Sequence, residues 1–241
     1  MFVEHLNIYF YSLNLSPMNV RTVLKELKAL GDPEHLKGLA HFAIDDTNAY
    51  GVKMPFVREL AKKYKKNHVL AADLWQSGIH EARIMASLVD DPKEVTEAQM
   101  DAWVNDFNSW DVCDQCTGNL FDKTPFAHKK AIEWSMGEKE FVKRAGFAMM
   151  AYITIHDKKA SNDDFIPFIK RIEEEAHDDR NFVKKAVNWA LRQIGKQNRD
   201  LHKMAIDSAK RIAKQDSKSA KWIAVDALKE LESEKVIERL G

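Results

Sequence analysis

The sequence predicts an all-α protein, folded as a curved α-solenoid of HEAT-like antiparallel helix pairs. The 241 residues include only nine Gly and six Pro, which is too few for a turn-rich all-β domain. Apolar residues recur at three- and four-residue spacing along almost the whole chain, which is the period of an amphipathic helix. Four segments also resemble copies of one unit. We therefore expect roughly twelve helices in a single domain over residues 18–241, preceded by a leader or an extra helix at residues 1–17.

The first three predicted helices each have a proline near their first turn, where the missing amide hydrogen costs nothing. They follow Ser16-Pro17, Asp32-Pro33 and Met54-Pro55. The longest irregular stretch between them, "DDTNAYGVKM", covers residues 45–54. No segment shows the alternation of apolar and polar residues that is typical of a strand.

The four similar segments share small and apolar residues at helical spacing followed by a polar end. They cover residues 81–91, 143–157, 184–198 and 220–233. The last three are offset by about 37 to 41 residues, close to the period of HEAT and armadillo helix pairs. One helix pair cannot bury its apolar face alone and must stack on its neighbours. A solenoid results, and its concave face is where we expect a partner to lie.

The N-terminal residues do not resemble a secretion signal, because they lack a basic leader and a small-residue cleavage pattern. Met18 is an alternative start, which would make residues 1–17 an appended leader. No stretch reaches the about 18 apolar residues that a membrane helix needs. These observations predict a cytoplasmic protein.

Charge is balanced over the chain but not between its halves. There are 37 basic and 37 acidic residues, and residues 1–120 hold 12 Lys/Arg against 17 Asp/Glu. The C-terminal half therefore has a basic excess, which favours one basic surface there. A net charge of zero alone argues against a strong nucleic-acid binder.

Several chemistries lack their motifs. There is no Gly-rich phosphate loop, no H-E-x-x-H and no nucleophile elbow, which leaves nucleotide hydrolysis, zinc peptidase and serine hydrolase activities without support. Cys113 and Cys116 form a lone C-x-x-C without a second ligand pair, so we interpret them as two buried thiols rather than a metal or redox site. We expect no cofactor and no metal.

The segment "NSWDVCDQCTGNLFDKTPF", residues 108–126, holds the first candidate site. On a helix, Trp110 and Asp114 stand at i and i+4, so an indole and a carboxylate project from one side. Such a pair can hold a cation, through cation–π attraction and charge. In the alternative interpretation Trp110 belongs to the core, and Asp111 or Asp114 interacts with the helix dipole.

The segment "NFVKKAVNWALRQIGK", residues 181–196, holds the second candidate. Its stripe of i, i+4, i+7 and i+11 positions consists of Lys185, Trp189, Arg192 and Lys196. An aromatic residue between cations suits both phosphates and bases. The alternative is a solvated helix face, in which a tryptophan would be costly to leave in water.

Arg144 opens the apolar helix "KRAGFAMMAY" at the repeat position that Lys185 occupies 41 residues later. The two would then line the same concave face and contact nucleic acid. Lys158 and Lys159, in the turn after that helix, are further candidates for phosphate contacts. The alternatives are a surface arginine paired with a carboxylate and ordinary loop lysines.

These segments resemble those of the AlkD-type DNA alkylation-repair proteins, in the HEAT-like repeat DNA glycosylase superfamily. The resemblance rests on "SWDVCD", "FVKRAGFAMM", "FVKKAVNWALRQIGK" and the "GVKMP" at residues 51–55, and it extends from about residue 18 to the end. It implies a HEAT-like solenoid that grips duplex DNA and hydrolyses the N-glycosidic bond of N3- or N7-alkylated purines without a metal. In that family Trp110 and Trp189 would frame the lesion, Asp114 would stabilise the deoxyribose cation, and Arg144 would hold the backbone.

Departures from the family keep other functions open. Asn181-Phe182 stands where the family's best-known glycosylase has two adjacent aromatics, and Phe42 stands near the position of a tyrosine. The alternatives are a non-catalytic relative that binds damaged or branched DNA and a protein-binding scaffold. In each case we expect a monomer.

Overall fold

The computed structural model describes residues 17–241, which form fourteen α-helices, four short 3-10 helices and no strand. The all-α prediction is confirmed, with somewhat more helices than expected. The α-helices are α1 (Pro17–Ala29), α2 (Pro33–Leu39), α3 (Met54–Ala61), α4 (His68–Gln76), α5 (His80–Val89), α6 (Glu97–Asn105), α7 (Trp110–Asn119), α8 (Ala127–Ser135), α9 (Glu140–His156), α10 (Ile166–Glu175), α11 (Asn181–Ile194), α12 (Arg199–Ile212), α13 (Lys218–Leu231) and α14 (Glu234–Leu240).

The predicted proline starts coincide with the first three helices. Asp32 precedes Pro33 and caps α2, because its carboxylate accepts hydrogen bonds from the amides of Glu34 and His35. Helix α2 is shorter than the sequence predicts, since a 3-10 turn over Ala40–Phe42 follows it at once and the backbone then turns left-handed at Ala43. Of the predicted leader at 1–17, only Pro17 lies within the described residues.

The chain divides into two compact units, one ending at Trp103 and one beginning at Val104. The single domain expected over 18–241 stays a prediction. In the first unit, α1, α3 and α4 pack around α5. The core between them includes Leu27, Leu74 and Met85.

A buried carboxylate organises the loop before α3. Glu81 is 2% exposed, and its oxygens accept hydrogen bonds from the amides of Tyr50, Gly51 and Val52 at 2.7–3.1 Å. Gly51 has φ +75°, and a Cβ there would lie 2.5 Å from the carbonyl oxygen of Asp32. The "GVKMP" segment is therefore held by a glycine-only conformation and by a carboxylate thirty residues away, a partner that the sequence analysis did not identify.

The second unit consists of two layers of helices. Helices α7, α9, α11 and α13 pack side by side in one layer, while α8, α10 and α12 form the other. Between the layers, α8 packs on α9, α10 on α11 and α12 on α13. Three of the similar segments, 143–157, 184–198 and 220–233, lie on α9, α11 and α13. The sequence repeat therefore corresponds to successive helices of one layer, which we call the site layer.

Two further expectations concern burial and membranes. Cys113 and Cys116 are both fully buried thiols, as predicted, and burial raises the pKa of Cys113 well above its ordinary value. Among residues 17–241, no helix combines the length and the apolar character that crossing a membrane requires.

Candidate functional site

Helix α7 carries two aspartates with different roles. Ser109 precedes the helix, and its hydroxyl donates to Asp111 Oδ1 at 2.7 Å, while the amide of Val112 donates to the same oxygen at 2.9 Å. Asp111 thus takes the N-terminal position that favours a carboxylate. Asp114, one turn later, is left for a contact outside its own helix.

Asp114 forms a two-pronged ion pair with Arg144 of α9. Arg144 Nε donates to Oδ1 at 2.9 Å and Nη2 donates to Oδ2 at 2.7 Å. The third arm of the guanidinium, Nη1, donates to the carbonyl oxygen of Phe182 at 2.8 Å. Because Phe182 belongs to α11, one arginine joins three successive helices of the site layer. Parallel hydrogen bonds of this kind fix the carboxylate orientation as well as its charge.

The ion pair is largely shielded from solvent. The side chain of Asp114 is 15% exposed and that of Arg144 is 8% exposed. Burial raises the pKa of Asp114, and the charge and hydrogen bonds of Arg144 oppose that rise. Burial alone would lower the pKa of Arg144, but Asp114 outweighs it and raises that pKa. The guanidinium therefore stays charged, and the site presents a small, partly exposed edge of an oriented carboxylate.

Two aromatic side chains, Tyr152 and Trp189, lie beside the ion pair, and we call them the aromatic wall. Tyr152 lies two turns after Arg144 on α9, and its ring lies so close to Gly118 of α7 that an added Cβ there would be 2.4 Å from the phenol ring. Trp189 of α11 meets Tyr152 edge-on, with ring centroids 5.0 Å apart and planes at 85°, a favourable aromatic geometry. Burial raises the pKa of Tyr152 to about 12, with the charge of Asp114 adding to the effect. The phenol is thus neutral at physiological pH.

The two tryptophans predicted for the site lie on α7 and α11. Trp110 is half-buried and begins α7, so it lies on the same helix face as Asp114, one turn earlier. Trp189 is also half-buried. Asp114, Arg144 and Trp189 come from three adjacent helices. Arg144 pairs with Asp114, Trp189 contacts Tyr152, and Tyr152 lies near enough to the ion pair for its charges to affect the pKa of the phenol. Tyr152 and Gly118 are members of the site that the sequence analysis missed.

A histidine–aspartate pair, in which only the aspartate side chain is buried, lies next to Tyr152. The imidazole of His156 stacks on Tyr152 at 5.7 Å, and its Nδ1 hydrogen bonds to Asp122 Oδ2. The side chain of Asp122 has no exposed surface, whereas that of His156 is 42% exposed. Burial raises the pKa of Asp122, and His156 opposes the rise. Nothing in the sequence spacing pointed to this pair, because its members are 34 residues apart.

The cations of the α11 stripe divide into two groups. Arg192 forms ion pairs with Glu230 and, at 3.6 Å, with Asp226, and Lys196 pairs with Glu230 at 2.6 Å. Their charges are therefore partly neutralised by α13. Lys185 is exposed, and no carboxylate among the described residues pairs with it.

The two lysines after α9 are exposed. Lys158 Nζ donates to the carbonyl oxygen of Ile155 at 2.6 Å and so satisfies a free end of the helix. The backbone amide of Lys159 donates to Asp157 Oδ1 at 3.0 Å. The Lys159 side chain itself is exposed to solvent. Phosphate contacts by these lysines and by Lys185 stay a prediction.

No group of three or more His, Cys, Asp or Glu side chains converges on a possible metal position within the described part of the chain. The site itself contains an oriented carboxylate, a guanidinium and aromatic rings. Such a set can stabilise a positive charge that approaches the exposed edge of Asp114.

Comparisons with known proteins agree with this architecture. The "Uncharacterized protein Lin0241" of Listeria innocua is 25% identical to this chain over 194 residues, which is 78% of this chain and 84% of that protein. A solved structure from "a new family of proteins related to the HEAT-like repeat DNA glycosylases with affinity for branched DNA structures" covers 92% of this chain and 96% of its own, with a TM-score of 0.77 and 24% identity. That likeness confirms the predicted HEAT-like fold.

The family described as DNA alkylation repair enzyme matches residues 23–231. This stretch includes most of both compact units and every residue of the site described above. The chain belongs to the DNA alkylation repair enzyme family.

Proposed function

We propose that this chain is a DNA N-glycosylase that excises cationic N3- or N7-alkylated purines from duplex DNA without a metal. The observation that carries the proposal is the placement of Asp114. Its carboxylate is oriented by Arg144 at 2.7 and 2.9 Å, keeps a small exposed edge, and lies near Tyr152 of α9, whose ring contacts Trp189 of α11. Membership in the alkylation repair family supports DNA as the substrate.

The reaction needs little beyond charge stabilisation. An alkylated purine already carries a positive charge, so its glycosidic bond is weak and the leaving base requires no protonation. As the bond breaks, positive charge develops on the deoxyribose, as in other oxocarbenium-like transition states. A fixed carboxylate stabilises that charge without reorganising at the moment of reaction. Asp114 takes this role, and it also orients the attacking water.

Arg144 acts in this proposal as a positioning residue. Its guanidinium offsets part of the negative charge of Asp114, but it holds both carboxylate oxygens in one geometry, and near-attack placement contributes strongly to rates. Trp110 and Trp189 border the lesion nucleotide, where their ring faces attract its cationic base. Lys158, Lys159 and Lys185 hold the DNA backbone.

A second candidate is a relative that binds damaged or branched DNA without excising bases. One observation favours it: both oxygens of Asp114 already accept hydrogen bonds from Arg144, and a carboxylate satisfied in this way stabilises an incoming cation less. The structurally similar protein is itself described as having affinity for branched DNA. Under this candidate the same site recognises distorted DNA by stacking and charge.

A base-release assay separates the two candidates. Duplex DNA that contains 7-methylguanine is incubated with wild-type protein, with Asp114→Asn and with Asp111→Asn, and released base is measured by chromatography. Asp111→Asn is the matched control, because asparagine also serves at a helix N-terminus. We expect Asp114→Asn to lower release by about 10²–10³-fold and Asp111→Asn to leave it nearly unchanged.

Circular dichroism at the assay temperature checks that each variant is folded. Binding of the same DNA is measured in parallel by fluorescence anisotropy. If the wild type binds the DNA but releases no base above the buffer rate, the second candidate replaces the first. Equal release by Asp114→Asn and the wild type would remove Asp114 from the mechanism.

A further inference from the structure

Helix α13 presents a stripe of exposed side chains to solvent. Trp222 is 41% exposed and Val225 is 69% exposed, and the exposed residues at helical spacing beside them are Lys218, Lys221 and Lys229. We call these five residues the α13 stripe. Every charged member is a lysine, and a large aromatic ring lies between them. The arrangement is the one expected on α11, but there the structure neutralises Arg192 and Lys196.

The cations of the α13 stripe keep their charge available. Among the described residues no carboxylate forms an ion pair with Lys218 or Lys229. Lys221 pairs with Asp216 only at 3.5 Å, with 58% of the lysine side chain exposed, and pairs of this kind contribute little. Lys184 of α11 places its ammonium 5.0 Å from the ring of Trp222, which adds a fourth cation and steadies the indole.

We propose that the α13 stripe binds unpaired nucleotides of a DNA strand, with a base stacked on Trp222 and phosphates held by the lysines. Single-stranded nucleic acid is recognised by this combination of an aromatic platform and cations along the backbone. A base inside a duplex has both faces covered by its neighbours, so the indole selects unpaired bases. The inference rests on the proposed binding of DNA and assigns that binding a second contact.

A protein partner fits the α13 stripe less well. The apolar part of the stripe consists of only two side chains, Trp222 and Val225. A stable protein interface buries about 800 Å² on each partner, which is more than two side chains provide. Interfaces between proteins are also depleted of lysine at their centre. Asp226, four residues after Trp222, is also 41% exposed, but it pairs with Arg192 at 3.6 Å and accepts a hydrogen bond from Asn188. The three lysines therefore complement a polyanion instead.

The position of α13 sets the distance between the two contacts. Helix α13 is the third neighbour of α7 in the site layer, and packed helices lie about 8–10 Å apart. The α13 stripe is therefore about 24–30 Å from Asp114. At about 3.4 Å per nucleotide along a strand, unpaired bases should reach Trp222 roughly seven to nine nucleotides from the lesion.

The test compares two DNAs of equal duplex length, one blunt and one ending in a fork with two unpaired arms. Dissociation constants are measured by fluorescence anisotropy at several salt concentrations. We expect Trp222→Ala to weaken binding of the forked DNA by about 5–100-fold and to change binding of the blunt duplex less than about 2-fold. Trp222→Phe should keep most of the affinity, because a phenyl ring still stacks.

Two further variants complete the design. Ile237→Ala removes an apolar side chain that is 54% exposed, somewhat more than Trp222, from α14 and should bind both DNAs as the wild type does. Lys218→Ala should lower the slope of log affinity against log salt by about 0.7 for the forked DNA, the value for one single-strand phosphate contact. Circular dichroism shows that the surface substitutions leave the fold intact.

Unchanged binding of forked DNA by Trp222→Ala would overturn the inference, as would an equal loss on both DNAs. A change in sedimentation of Trp222→Ala would overturn it too, because the stripe would then contact a second copy of the chain. Failure of the proposed function is distinguishable: Trp222-dependent fork binding without release of 7-methylguanine supports this inference alone, and release without such binding overturns this inference alone.

Discussion

The ion pair between Asp114 and Arg144 is expected to be one of the strongest side-chain contributions to stability in the second unit. Two hydrogen bonds of 2.9 and 2.7 Å join the side chains, which are only 15% and 8% exposed. Removing either charge leaves the other buried without its partner, and breaking a buried pair in this way costs about 3–5 kcal/mol. The variants are Asp114→Asn, Arg144→Gln and the double substitution.

Each single substitution should lower the free energy of unfolding by about 3 kcal/mol, because some solvent still reaches the pair. In a chain of this length that corresponds to a fall of about 6–12 °C in Tm. The double variant leaves no unpaired charge, so its loss should be smaller than the summed single losses by about 2 kcal/mol. Equilibrium urea unfolding, followed by circular dichroism and tryptophan fluorescence, gives the four free energies of the cycle.

The chain offers a matched control in the ion pair of Glu34 and Lys37, whose side chains are 81% and 73% exposed. Solvent screens that pair, so the same cycle with Glu34→Gln and Lys37→Gln should show no coupling beyond error. A coupling between Asp114 and Arg144 no larger than that of the control would refute the reasoning. Arg144 would then not be the residue that orients the carboxylate.

Three further predictions follow from contacts outside the ion pair. Glu81→Gln should lower the free energy of unfolding by about 2–3 kcal/mol and speed hydrogen exchange at residues 50–52, because a neutral amide accepts the three backbone hydrogen bonds less strongly. Gly118→Ala should lower the free energy of unfolding, measured in urea, by about 1–3 kcal/mol, because the new Cβ would lie 2.4 Å from the phenol ring of Tyr152. Its control is Gly38→Ala, where nothing lies within reach of a Cβ; this variant should stabilise its helix by about 0.5–1 kcal/mol. Lys143→Met should lower the free energy of unfolding at neutral pH. That free energy should also fall less in acid than it does in the wild type, as measured by urea unfolding across the pH range.

The sign of the acid effect comes from Glu175, whose carboxylate lies 2.5 Å from Lys143. Burial would raise the pKa of Glu175, but the hydrogen bonds and charges of Lys143 and Arg171 outweigh it and lower that pKa below the ordinary 4.5. A carboxyl with a lowered folded pKa stabilises the fold above its unfolded pKa, and this contribution is lost as the pH falls through the folded value. The affected window therefore lies below pH 4.5.

Each of these predictions has a contrary outcome. Unchanged amide exchange at residues 50–52 in Glu81→Gln would show that the loop does not depend on that carboxylate. A Gly118→Ala variant more stable than the wild type would show that the Tyr152 ring moves aside without a loss of stability. An acid unfolding profile of Lys143→Met that parallels the wild type would remove Glu175 as the source of the pH dependence.

The position of Arg144 changes what the family resemblance suggests for this residue. The resemblance assigned it to the DNA backbone. Arg144 is only 6% exposed, however, and its guanidinium donates hydrogen bonds to Asp114 and to the carbonyl oxygen of Phe182. Three of its five N–H groups are thus engaged, and its contact with a phosphate stays a prediction. The lysines at 158, 159 and 185 are exposed, so they are better placed to meet DNA first.

Local patterns in the sequence determined the helical class, the proline starts and the burial of both cysteines. They also placed Trp110 and Asp114 on one face, because residues four apart on a helix are neighbours whatever surrounds them. The repeat offset of about 37 to 41 residues likewise predicted which helices stack. Asn188–Asp226 and Arg192–Glu230, each 38 residues apart, are contacts made at that offset.

The tertiary structure alone decided which charges meet. A stripe of cations looks the same in sequence whether it faces solvent or a carboxylate from the next helix, so the neutralisation of Arg192 and Lys196 by Glu230 was not foreseeable from α11. Tyr152 entered the site for a similar reason: a glycine on another helix leaves room for its ring. Hydrophobic period is encoded by near neighbours, whereas partners thirty or more residues away depend on how the helix layers pack.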